Sequence, residues 1–209
     1  MAKRLYVAGE LFSFHHLAGN AMLASAIEQL SDNAYQCILP QALEQRETTP
    51  EAIRNQDLRE VILSDVCLFF FDGTELDSGT VVEFMLAKFA DIPSVVVRSD
   101  FRKGGDAESY PWNLMVSFYP RTKVILIDSI RQYQEKLRSD PDRSAKASVR
   151  AVDAAIEQTA KEILSAFEEV ENTPPLLKGS EKESVESWLS TFAGESFSKL
   201  MNTRLMNTR

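Results

Sequence analysis

Short apolar runs alternate with segments of helical period along the first two thirds of the chain. RLYVAG (4–9), YQCILP (35–40), VCLFFFD (66–72), PSVVVRS (93–99) and TKVILID (122–128) each read as a strand. The third is apolar almost throughout, the pattern of a strand buried on both faces of a parallel sheet. HLAGNAMLASAIEQLS (16–31) sets Leu17, Ala21, Ala24, Ile27 and Leu30 at spacings of three and four, which predicts an amphipathic helix. TPEAIRNQDLREVILSD (49–65) opens with Thr49 as an N-cap and Pro50 at the first helical position, and turns Ile53, Leu58, Val61 and Ile62 inward. A third helix follows the acidic turn after the third strand and runs to about Ala90. Five strands with helices between them predict an α/β, flavodoxin-like three-layer fold. Its five-stranded, mainly parallel sheet has the order 2-1-3-4-5. Ligands bind such sheets beyond the carboxyl ends, where strands one and three diverge. That places AGELF (8–12), with Gly9 and Phe12, beside DGTELDSGT (72–80), which starts at Asp72.

The last third has another character. RSAKASVRAVDAAIEQTAKEILSAFEEVEN (143–172) reads as one long helix, striped by Val149, Val152, Ile156, Ala160, Ile163, Phe167 and Val170. Such a stripe packs on the sheet or carries a subunit contact. TPPLLKGS (173–180) is a linker by its proline pair and glycine. Residues 181–204 form a further helical candidate around Val185, Trp188, Leu189 and Phe192, and the closing LMNTRLMNTR is a five-residue duplication without chemistry. The expected division is an α/β domain over 1–140, the long helix over 141–172, and a linker with a C-terminal helical extension over 173–209.

Composition narrows the function. A length of 209 residues, 44% hydrophobic and 26% charged, suits one ordinary domain with an appendage. The net charge of −8 argues against an electrostatic nucleic-acid binder or a polybasic membrane-surface protein. It leaves open a small nucleoside, which brings no phosphate to repel. Cys37 and Cys67 each sit in an apolar run and read as small buried hydrophobes of a reducing compartment. No His, Cys or Asp spacing suggests a metal site, and no apolar run is long enough for a signal peptide or a membrane span. A soluble, cytoplasmic protein is expected. His15 and His16 read as residues preceding the first helix at the mouth of the site.

FFFDGTELDSGTVVEF (69–84) gathers Asp72, Glu75, Asp77 and Glu83 around two glycines at the end of a strand. Local structure explains part of this. Thr80 to Glu83 fits a capping box, Asp72-Gly73 is a turn dipeptide, and Asp77 suits the positive end of a helix dipole. A carboxylate-lined site explains the remainder. Glu83 lies in an otherwise apolar helix, close to Asp77 at the helix start. Two carboxylates in one cleft separate in pKa, a division that serves glycosyl chemistry.

LYVAGELF, IRNQDLREVILSDVCLFFFDG, DSGTVVEF and NLMVS, in that order, resemble the nucleoside 2-deoxyribosyltransferases over roughly residues 4–128. The resemblance implies exchange of 2-deoxyribose between nucleobases by double displacement, with no metal or organic cofactor. Its partners would be deoxynucleosides and free bases. It implies Glu83 as the nucleophile that forms a covalent deoxyribosyl ester, Tyr6 as the residue orienting it, and Asp77 as the carboxylate beside the departing base. Asp57 corresponds to a second aspartate of the base pocket, and Gly9, Phe12 and Asp72 fall at the same strand ends. Asn113 corresponds to an asparagine that reaches the sugar 5′-hydroxyl from a neighbouring subunit, so a homo-oligomer, a dimer or a multiple of dimers, is implied. Met85 stands where many members have glycine, and SDFRKGGDAESYPW (99–112) reads as a lid-like loop. Two alternatives stay open: hydrolysis of deoxynucleoside 5′-monophosphates by an N-glycosidase, and a non-catalytic nucleotide-sensing module.

Overall fold

The structure, a computed structural model, describes residues 2–43, 49–102, 113–142 and 144–193. Its elements in chain order are β1 (Lys3–Ala8), α1 (Phe14–Leu30), β2 (Tyr35–Ile38), α2 (Pro50–Leu63), β3 (Val66–Phe70), α3 (Ser78–Phe89), β4 (Ser94–Arg98), β5 (Thr122–Leu126), α4 (Ser129–Ser139), α5 (Ala145–Glu171) and α6 (Ser180–Ser190). The strands form one sheet in the order β2-β1-β3-β4-β5, and every neighbouring pair is parallel. This is the expected order, with a wholly rather than mainly parallel sheet.

Alternation along the strands divides the core in two. Tyr6, Ala8, Cys67, Phe69 and Val96 point to one face, where they meet Val61 and Ile62 of α2 and Phe84 of α3. Leu5, Val7, Leu68, Val95 and Val97 point to the other, against Leu23 and Ile27 of α1 and Ile163 and Phe167 of α5. Because Tyr6 and Phe84 share the first face, chemistry at the top of β1 and at the start of α3 converges there.

The extension is built into both layers. In the second half of α5 the stripe residues Ala160, Ile163, Phe167 and Val170 are buried, whereas Val149 and Val152 of the first half stay exposed, so the sequence stripe packs only partly. α6 lays Leu189, with Ala193 just beyond it, into the cluster that holds Tyr6 and Phe84, and Trp188 meets the Phe89 ring edge-on at 6.2 Å. Asp91 anchors this segment. It lies just past the end of α3 with a positive φ of 55°. Its Oδ2 accepts from the Leu176 and Leu177 amides at 2.7 and 3.1 Å, and its Oδ1 pairs with Arg121 at 3.2 Å.

Several expectations need correction. α1 begins at Phe14 behind a Ser13 cap, so His15 and His16 lie inside its first turn rather than before it. Its buried residues are Leu23, Ala24 and Ile27, while Leu17 and Leu30 remain exposed. α4 is an additional helix, and Cys37 is only partly buried. The 181–204 helix ends at Ser190 among the described residues. The rest of that segment, the terminal duplication and most of the lid-like loop lie outside them.

Candidate active site

Glu83 and Tyr6, seventy-seven positions apart in sequence, meet on the face that carries the aromatic core. The Tyr6 hydroxyl donates to Glu83 Oε1 at 2.8 Å. Tyr6 is fully buried and Glu83 half-buried. The orientation of Glu83 is fixed by the next residue. The Phe84 ring meets Phe69, Phe71 and Tyr119 edge-on at 5.3, 5.9 and 5.3 Å, a geometry that aromatic quadrupoles favour. Phe84 pinned below the helix leaves Glu83 to face Tyr6.

Burial pushes the Glu83 carboxyl up to about 7, and the charges of Asp57 and Asp77 add to the rise, while the Tyr6 hydrogen bond opposes it. Burial and the Glu83 charge drive the Tyr6 phenol far above its ordinary range, so it stays a neutral donor. Asp57, on the face of α2 near Tyr6, is pushed up to about 6 by burial and by Glu60. Glu83 thus feels two other carboxylates, and both it and Asp57 are poised near neutrality, a condition typical of acid–base and nucleophilic sites.

Asp77 is the N-cap of α3. Its Oδ2 accepts from the Thr80 amide at 2.7 Å and from the Thr80 hydroxyl at 2.8 Å. This overturns the capping box from Thr80 to Glu83. The helix starts three residues earlier, Thr80 is a buried residue of its first turn, and Glu83 is released from capping to pair with Tyr6. The two roles of Asp77 are separable. Asp77→Asn keeps a cap of equal rank, whereas Asp77→Ala is expected to lose about 1 kcal/mol of stability. Thermal unfolding of both variants measures the cap, and an asparagine variant that is stable but slow isolates the carboxyl group's chemical part.

The other expected residues are placed as follows. A Cβ at Gly9 would lie 3.0 Å from the Phe70 Cβ, tighter than ordinary packing, so β1 and β3 approach closely as they leave the sheet. Phe12 is 77% exposed on the loop after β1. Asp72 turns away from Glu83 to clasp the end of β4, accepting from the Ser99 amide and hydroxyl and from the Asp100 amide. Asn113 caps a short 3-10 turn, Leu114–Val116, its Oδ1 accepting from the Met115 amide at 3.0 Å. Leu114, Met115 and Phe118 around it are exposed. His16 stands 3.2 Å from the Glu10 carboxylate.

Sequence reading missed the brace behind the acidic loop. Arg98, buried at the end of β4, donates to the carbonyls of Phe71 and Gly73 at 2.8 and 2.9 Å. Asp100 accepts from the Gly73 amide at 3.0 Å, and Arg102 beside it holds its carboxyl well below the usual range. Gly73 itself takes φ 92°, open to glycine. The signal was a cation closing an otherwise apolar buried strand. Among the described residues no group of three His, Cys, Asp or Glu side chains is placed to hold a metal ion, and no helix is long and apolar enough to cross a membrane.

The sequence model of the nucleoside 2-deoxyribosyltransferase family matches residues 5–115. No curated protein matches the chain. Among solved structures, a conserved protein from Enterococcus faecalis V583 is 23% identical, with 79% of this chain and 99% of that one covered, at a TM-score of 0.48. A 2-deoxyribosyltransferase from Leishmania mexicana is 18% identical, covering 62% and 92%, at 0.42. A CMP N-glycosidase from Clostridium botulinum is 14% identical, covering 65% and 98%, at 0.40.

Proposed function

Since the chain belongs to the nucleoside 2-deoxyribosyltransferase family, we propose that it moves 2-deoxyribose from one nucleobase to another through an ester on Glu83. The observation that carries this reading is the hydrogen bond from the Tyr6 hydroxyl to Glu83 Oε1, within an aromatic wall that holds the carboxylate half-buried.

In the first step a Glu83 oxygen attacks the anomeric carbon from the side opposite the base. The C–N bond breaks, its electron pair passes to the base nitrogen, and a glycosyl ester forms with inversion. The departing base needs a proton at a ring nitrogen. Asp57, pushed up to about 6, retains one close to neutral pH and donates it, while Asp77 at the head of α3 faces the base. In the second step the nitrogen of an incoming base attacks the same carbon and expels the Glu83 carboxylate, and its proton returns to the aspartate. Two inversions give net retention.

Asn113 serves the sugar of a neighbouring copy in this reading. The exposed Leu114, Met115 and Phe118 beside it suit burial against a second chain. The protein is then a cytoplasmic homo-oligomer acting in salvage of deoxynucleosides, with no metal or organic cofactor in the reaction.

Incubation with deoxyinosine and adenine tests the proposal. Deoxyadenosine appearing together with hypoxanthine is the expected result. Free deoxyribose with hypoxanthine and no new nucleoside points instead to hydrolysis. Turnover of neither deoxynucleosides nor their monophosphates removes the enzymatic reading.

A further inference from the structure

We propose that the chain carries a second small-molecule site, on the sheet face opposite Glu83, that takes a neutral purine ring. A cavity of about 460 Å³ opens between α1, α4 and α5, beside the carboxyl ends of β3, β4 and β5. It falls within the roughly 300–1,000 Å³ usual for small-molecule pockets. Its wall residues Leu23, Phe70 and Ile127 belong to the core on the α1 and α5 side, whereas Tyr6 and Phe84 belong to the other. The sheet therefore separates this cavity from the carboxyl groups around Glu83.

Shape, hydrogen bonding and charge select the occupant. Phe70 and Tyr133 offer aromatic surface to a flat ring. Gln132 lines the cavity and is only 7% exposed, yet its amide is lightly used. The amide nitrogen donates to Glu162 Oε1 at 3.3 Å, and its oxygen accepts from the Thr159 hydroxyl at 3.4 Å. Both are long for such bonds. A carboxamide places a donor beside an acceptor, which matches a purine edge bearing an amino group next to a ring nitrogen. Buried amides normally satisfy both groups well, so the weak pairing leaves capacity for a ligand.

Charge disfavours the phosphorylated forms. Asp72 lines the cavity, Glu162 stands against Gln132, and no Lys or Arg is among the described lining residues; of the two lining histidines, His16 already stands 3.2 Å from the Glu10 carboxylate, which leaves His15. An anion would meet carboxylates without a permanent cation among the described lining residues to compensate. The site does not depend on what Glu83 does, and it stands even for a chain that transfers nothing.

Titration of the full-length, isotope-labelled protein with adenine, followed by amide chemical shifts, tests the assignment. Saturable shifts at Gln132, Thr159 and Ile127 are expected, and adenosine monophosphate at the same concentration should leave these amides in place. Gln132→Leu, which removes the amide and keeps the bulk, should weaken the binding read at Thr159 and Ile127 about tenfold. Ala155→Phe, which fills the cavity from α5, should abolish it. Neither residue belongs to the Glu83 cluster, so any base exchange is retained in both variants. Adenine shifts confined to the surroundings of Tyr6 and Glu83 overturn the proposal on the parent protein alone. So does equal binding of the monophosphate, or unchanged affinity in both variants.

Discussion

Glu83→Ala is expected to lower base exchange by about 10⁴-fold or more, because no covalent ester can form without the attacking carboxylate. Formation of deoxyadenosine from deoxyinosine and adenine measures it. Exchange at the parental rate would take Glu83 out of the mechanism. Glu83→Gln, of nearly the same shape, should be equally inactive and carries a second signature. The folded chain holds a proton on Glu83 up to about pH 7, whereas a carboxyl at its ordinary value of 4.5 has already lost it in the unfolded chain. The folded state binds more protons across that window, so this group's contribution to stability declines as pH rises through it. At pH 8 the glutamine variant should therefore unfold at the same temperature as the parent or higher, while at pH 4 the advantage disappears. A glutamine variant markedly less stable at pH 8 would mean that the carboxylate supports the fold.

Tyr6→Phe has the next largest expected effect. It deletes a hydrogen bond to a carboxylate, worth about 1.5–3 kcal/mol, and leaves the aromatic ring in the core. With Asp57 as the proton donor, kcat/KM in the parent should trace a bell whose maximum lies between about pH 6 and 7, an acidic limb as Glu83 ionises and an alkaline limb as Asp57 loses its proton. Since the Tyr6 hydrogen bond lowers the Glu83 pKa, its removal should displace that acidic limb to higher pH. At pH 7 the combined loss is about 10- to 100-fold. Full pH profiles of both proteins decide the matter. A slower variant whose limb stays in place would assign Tyr6 to substrate contact alone.

The strands were legible because each is a largely apolar run, and their alternation with helices pointed to a flavodoxin-like sheet, whose order then placed the acidic loop. α4 was not. Within SIRQYQEKLRS only Ile130, Tyr133 and Leu137 are large and apolar, and the residue it buries most deeply is Gln132, which no hydrophobic pattern marks. The start of α3 was misplaced for another reason. Asp77 and Thr80 both suit a cap, and the choice between them depends on where Phe84 must sit among Phe69, Phe71 and Tyr119, a tertiary demand absent from local sequence. The pairing of Tyr6 with Glu83 came through the family resemblance, since a tyrosine in an apolar strand is by itself a core residue. Asp72, expected on the substrate side, has its carboxylate engaged by Ser99 and Asp100, partners fixed by the neighbouring strand and not by spacing.

The clasp of α5 and α6 on the first strands has a consequence for biosynthesis. Lys3 of β1 and Tyr35 of β2 each bond Glu171 of α5, and Leu189 sits in the same apolar cluster as Tyr6. A nascent polypeptide leaving the ribosome with only its first half has neither α5 nor α6 to cover its central strands. Contacts so distant along the chain form late and slowly. Until α5 and α6 have emerged, the central strands lack their cover and expose greasy surface of the kind chaperones hold.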